Sequence, residues 1–157
     1  MENMDIIKEL TELVAKLKQE KIEFALCGGL AMAVYAFPRA TMDIDIIVEQ
    51  DSIPKIKKIV EKLGFSFDSG VMEFQKGAIK IQRLVKVNPE VEEEIILDLL
   101  IVTDQIKDVW QTRKDVSWEK GTIPVVSPEG LIRLKTMRNN GQDKDDIQHL
   151  KGLKNES

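Results

Sequence analysis

The stretch LCGGLAMAVYAFPRATMDIDIIV, residues 26–48, decides how this chain reads. It sets a glycine pair, Gly28 and Gly29, ahead of Asp43-Ile44-Asp45, which lies inside an apolar run. A β-strand sends alternate side chains to opposite faces, so Asp43 and Asp45 share a face. Two carboxylates amid Ile and Val repel one another and resist burial unless a cation sits between them. Hard divalent cations that link carboxylates to phosphates suit such a place. The glycine pair falls where an apolar strand turns into a helix, letting the backbone approach a phosphate at the positive helix end. A cation seat on one side and a phosphate cradle on the other point to nucleotide chemistry.

The pattern resembles the signature of the nucleotidyltransferase superfamily that includes DNA polymerase beta. That signature is an apolar residue, Gly-Gly or Gly-Ser, a spacer, then Asp-x-Asp between apolar residues. Leu26, Gly28-Gly29 and Asp43-Ile44-Asp45 carry the match. Pro38-Arg39-Ala40-Thr41 resembles the Arg-x-Thr step before Asp-x-Asp in antibiotic nucleotidyltransferases and in toxins of abortive-infection systems. Where many members have Ser, Gly29 supplies only its backbone N–H. The resemblance implies that Gly28, Gly29 and Arg39 hold the phosphates of a nucleoside triphosphate.

Length and composition set the bounds. A chain of 157 residues fits one domain, 1–157, large enough for its own core. With 43% hydrophobic and 32% charged residues it reads as a soluble globular protein. No apolar run approaches the roughly 20 residues that cross a bilayer, and the acidic start MENMD lacks a basic signal-peptide head. The single cysteine, Cys27, excludes an internal disulfide framework and fits a cytoplasmic location. A net charge of −4 gives no general attraction for nucleic acid.

Periodicity predicts an amphipathic helix over 4–19, a strand over 22–27, a helix from Gly28 to about 37 that stops at Pro38, and a strand over 41–48. A helix with Pro54 in its first turn follows to residue 63, stopped by Gly64. Three short strands, 65–67, 71–75 and 78–87, form an expected meander separated by Gly70 and Gly77. The apolar run 95–102 reads as a central strand. Residues 104–121 give no clear pattern. A strand over 122–126 leads to a helix capped by Ser127 with Pro128 at its first position, and a last helix covers about 144–153. The expected fold is α/β (α+β): a mixed, mostly antiparallel sheet flanked by helices.

Asp98 stands alone in the apolar run 95–102. Burying it there requires a metal or an ion-pair partner such as an arginine, unless the run is a helix with Asp98 on its wet side. In the superfamily a third carboxylate occupies a later apolar strand, and Leu97-Asp98-Leu99 matches that setting. The resemblance then implies that Asp43, Asp45 and Asp98 are catalytic and hold two Mg²⁺ ions. It also implies a nucleotide contact from Lys135 on the late helix. Asp146-Ile147 matches the tail of abortive-infection relatives but reads equally as a capped helix start, and His149 reads as structural.

The leading expectation is an Mg-dependent nucleotidyltransferase that moves a nucleoside monophosphate from a triphosphate onto a hydroxyl acceptor. The acceptor binds the core's own surface, a second copy, or a separate protein. The rival expectation is a catalytically silent nucleotide-binding or toxin–antitoxin-type interaction module. A two-metal nuclease is a third, weaker option.

Overall fold

Alternating apolar side chains build a seven-stranded sheet with helices on both sides, seen in a computed structural model that describes residues 5–35, 43–90, 92–138, 148 and 150–152. The strands are β1 (Ala25–Cys27), β2 (Asp43–Val48), β3 (Phe67–Phe74), β4 (Ile79–Asn88), β5 (Glu93–Ile101), β6 (Lys114–Trp118) and β7 (Gly121–Val125). The helices are α1 (Ile6–Gln19), α2 (Gly28–Val34), α3 (Ile53–Lys62), α4 (Lys107–Gln111) and α5 (Pro128–Arg138). The strand order is β3-β4-β5-β2-β1-β7-β6, so the β2 and β5 aspartate strands lie side by side in the interior of the sheet.

The sheet is mixed in a specific way. The β3–β4–β5 wing is an antiparallel meander, as expected, but β5 pairs parallel with β2, and β7 pairs parallel with β1. Parallel pairing needs a crossover rather than a hairpin. Between β2 and β5 the chain passes through α3, β3 and β4 before returning.

Each of the two faces has its own character. The back carries Ile44, Ile46, Leu97 and Leu99, all fully buried. Leu10, Leu13 and Leu17 of α1, with Ile56 and Val60 of α3, are buried in the same core. Asp5 caps α1 by accepting from the N–H groups of Ile7 and Lys8, which explains why the helix starts there. Ser127 does the same for α5, accepting from Gly130 N–H at 3.0 Å.

One expectation is corrected and one unread segment is resolved. Gly70 does not separate two strands; it lies inside β3 at a bulge following Asp68, with φ at +87°. The Asp68 carboxylate accepts from Gly70 N–H at 2.8 Å and pins the bulge. The segment 104–121 holds α4 and β6, each five residues long and too short to show a period. The helix from Gly28 is described to Val34 with Tyr35 as its C-cap, and its expected end at Pro38 lies outside the described residues. The Tyr35 hydroxyl donates to Val126 O at 3.0 Å, and burial pushes its pKa up to about 12.

Candidate active site

Register brings the aspartates together. Asp45 of β2 lies directly opposite Asp98 of β5, and Asp43 lies opposite Ile96. Because partners in register share a face and alternate residues do too, Asp43, Asp45 and Asp98 all project from the front of the sheet. The Asp98 side chain is 8% exposed, while Asp43 and Asp45 are half-buried.

Strand β4 supplies the counter-charge. Arg83 is the register partner of Asp98 on its other side. Its Nε donates to Asp98 Oδ1 at 2.9 Å and its Nη2 to Oδ2 at 3.0 Å, a bidentate fork. The hydrogen-bonded Asp98 carboxylate raises the Arg83 guanidinium above its usual range, and Asp43 and Asp45 push it the same way. One arginine thus feels all three aspartates. Among the described residues no three carboxylate, imidazole or thiol groups stand together in a set that could hold a metal ion. Both oxygens of Asp98 are engaged by Arg83 instead, the ion-pair alternative open in the sequence. The setting nonetheless suits a cation: three carboxylates share one face, and a guanidinium already occupies the position of positive charge.

Gly28 shows why this place needs glycine. Its φ is +71°, and a Cβ built there would collide with the Asp45 carboxylate. The start of α2 and Asp45 are therefore packed as one unit. Gly29 follows as the second residue of α2 and is half-buried.

A cleft of about 70 Å³ opens between these elements, lined by Cys27, Gly28, Asp45, Ile79, Ile81, Asp98, Leu100, Leu131, Leu134 and Lys135. Lys135, on α5, is only 3% exposed. Two of the aspartates, Asp45 and Asp98, line the same cleft.

The structure therefore gathers Gly28, Asp45, Asp98 and Lys135 around one cleft, with Asp43 on the same face. Arg39, the Asp146-Ile147 pair and His149 lie outside the described residues. Arg83 is the site residue that reading by motif missed. A signal was available: β4 presents Ile79, Ile81, Arg83, Val85 and Val87 on one face, and Arg83 is the single charge in that series.

Solved structures share this architecture. The lincosamide antibiotic adenylyltransferase LnuA, solved with lincomycin bound, is 18% identical with a TM-score of 0.66, covering 95% of this chain and 98% of its own. ANT(2")-Ia in complex with adenylyl-2"-tobramycin is 15% identical with a TM-score of 0.63, covering 92% and 86%. An antigenic nucleotidyltransferase-like protein from Paracoccidioides brasiliensis is 22% identical with a TM-score of 0.56, covering 95% and 77%. At these identities the likeness is one of fold. No curated protein matches the chain by sequence. The model of the family described as "Nucleotidyl transferase AbiEii toxin, Type IV TA system" matches residues 12–150, nearly the whole chain and every described site residue. The chain belongs to the AbiEii nucleotidyl transferase toxin family of type IV toxin–antitoxin systems.

Proposed function

We propose that the protein transfers a nucleoside monophosphate from a nucleoside triphosphate to a hydroxyl acceptor, with Asp43, Asp45 and Asp98 as the catalytic carboxylates. The observation that carries this reading is the register pairing of Asp45 with Asp98 beside the buried Lys135 in one cleft. Asp45 and Asp98 would hold one Mg²⁺, and Asp43 with Asp45 would hold a second. Bound there, the ions would acidify the acceptor hydroxyl and offset charge on departing pyrophosphate. Lys135 binds phosphate oxygens from the α5 side, and the backbone N–H groups of Gly28 and Gly29 do so from the start of α2. Arg39 is a further phosphate contact in this reading. In this reading Asp98 also takes the acceptor's proton. Ile79, Ile81 and Leu100 give the cleft an apolar wall, and a low-dielectric surround strengthens charge interactions beside it.

One observation favours the alternative of a catalytically silent module: both oxygens of Asp98 are held by Arg83. Incubating the protein with each α-labelled nucleoside triphosphate and Mg²⁺, in the presence of antibiotic, protein and tRNA acceptors, separates the two. The enzyme reading predicts label on one acceptor with release of pyrophosphate, abolished by Asp45→Asn. No transfer to any acceptor from well-folded protein favours the silent module, and label appearing only as free monophosphate contradicts transfer.

A further inference from the structure

The Arg83–Asp98 pair differs from an ordinary structural ion pair in three respects. Its carboxylate belongs to a trio on one face, so the guanidinium neutralises one aspartate while standing in the field of two more. The two partners are unequally buried, at 34% exposed for the Arg83 side chain and 8% for Asp98. The cation can therefore leave for water, whereas the carboxylate cannot. Finally, the residue opposite Arg83 on the neighbouring edge strand is Gly70, at the β3 bulge. Among the described residues nothing lies within 4 Å of where a Gly70 Cβ would stand, so this side of the strand pair is open there.

Resting on the nucleotidyl-transfer reading above, we propose that Arg83 is a positioning residue that competes with divalent metal for Asp98. The guanidinium holds the Asp98 carboxylate in place and stabilises the clustered negative charge. A metal ion binding through Asp98 meets the guanidinium's like charge at the same carboxylate and displaces an arm of the Arg83 fork. The released guanidinium moves toward the open side over Gly70 and stays solvated. Metal affinity is then set by the difference between two cations on one carboxylate. The pairing with Arg83 is thus a reversible occupancy of Asp98 and does not mark a dead site.

The test is calorimetric titration of Mn²⁺ alone into the full chain, comparing wild type with Arg83→Gln and Arg83→Lys, each checked for folding by circular dichroism. Arg83→Gln removes the competing charge and is expected to bind Mn²⁺ at least about tenfold tighter, the size of effect that neighbouring groups have on metal sites. Arg83→Lys keeps the charge but loses the fork, so a smaller tightening is expected; it also serves if Arg83→Gln does not fold. Adding Asp98→Asn should erase the gain. Merely structural support would show the opposite, since loosening Asp98 weakens metal binding. Equal or weaker Mn²⁺ affinity in the folded Arg83 variants, with wild type binding, overturns this inference and leaves the nucleotidyl-transfer reading standing. Absence of binding in every folded form overturns both.

Discussion

Of the three cations on strand β4, Arg83 and Lys86 stand three residues apart, and each reaches a buried carboxylate on opposite faces of the sheet. On the back, Lys86 Nζ lies 2.7 Å from Glu9 Oε1 and ties α1 to the sheet, while Glu9 Oε2 is buried with no hydrogen-bond partner among the described residues. In front, Arg83 satisfies both oxygens of Asp98, which also neighbours Asp45. The back pair is a cross-link in a largely apolar layer, and its imperfect pairing is tolerated because only packing depends on it. The front pair belongs to a cluster of like charge that resists burial, an arrangement that packing alone does not call for. Charge in the core therefore has two uses here, and substitutions should tell them apart.

The largest expected effect lies in front. Asp45→Asn should lower nucleotidyl transfer by more than about 100-fold, above the loss typical of groups that only support a metal ligand. Its thermal melting point should hold or rise, because a like charge leaves the cluster. The mirror experiment is Lys86→Met, which strands Glu9 in the core and should cost about 3 kcal/mol in chemical denaturation with transfer retained. Replacing both partners, Glu9→Leu with Lys86→Met, should recover most of that loss, since a buried pair exchanged for apolar groups is often near neutral. If Asp45→Asn unfolds the protein, or Lys86→Met abolishes transfer from a folded chain, the contrast between the faces fails.

Gly28→Ala joins the two concerns. The positive φ and the collision with Asp45 should cost about 1–3 kcal/mol and displace the carboxylate, so stability and transfer fall together. The smallest effect belongs to Asp68, an exposed carboxylate held below its usual range first by the Lys57 hydrogen bond and then by Gly70 N–H. A depressed folded pKa contributes stability above the ordinary carboxyl range that is lost as pH falls through the folded value. Because both side chains of this pair are more than a third exposed, screening keeps the contribution below about 1 kcal/mol. Asp68→Asn should therefore lessen the fall in melting point on acidification only slightly.

Much of the front face was legible in residues 26–48 and 98. Aspartates at alternate positions in an apolar run, and a lone Asp in the next such run, violate burial rules strongly enough to stand out. The glycines ahead of the first pair read as a phosphate cradle; what the structure adds is that a Cβ at Gly28 would collide with Asp45. What stayed hidden was pairing. The parallel register that sets Asp45 against Asp98 depends on a crossover of some fifty residues, and no local pattern specifies it. Arg83 was overlooked because charges in a strand, here with Lys80 and Lys86 beside it, ordinarily mark a wet face. Only the apolar company of Ile79, Ile81 and Val85 gives it away. The bulge at Gly70 and the five-residue elements α4 and β6 escaped for the same reason: each is decided by neighbours distant in sequence.

The most direct test of the central claim is calorimetric titration of the four nucleoside triphosphates with Mg²⁺ into wild type and into Asp43→Asn/Asp45→Asn. Wild type should bind at least one triphosphate in an Mg-dependent manner, and the folded double variant should not. Binding that survives the double substitution, or no binding by folded wild type, would contradict that claim.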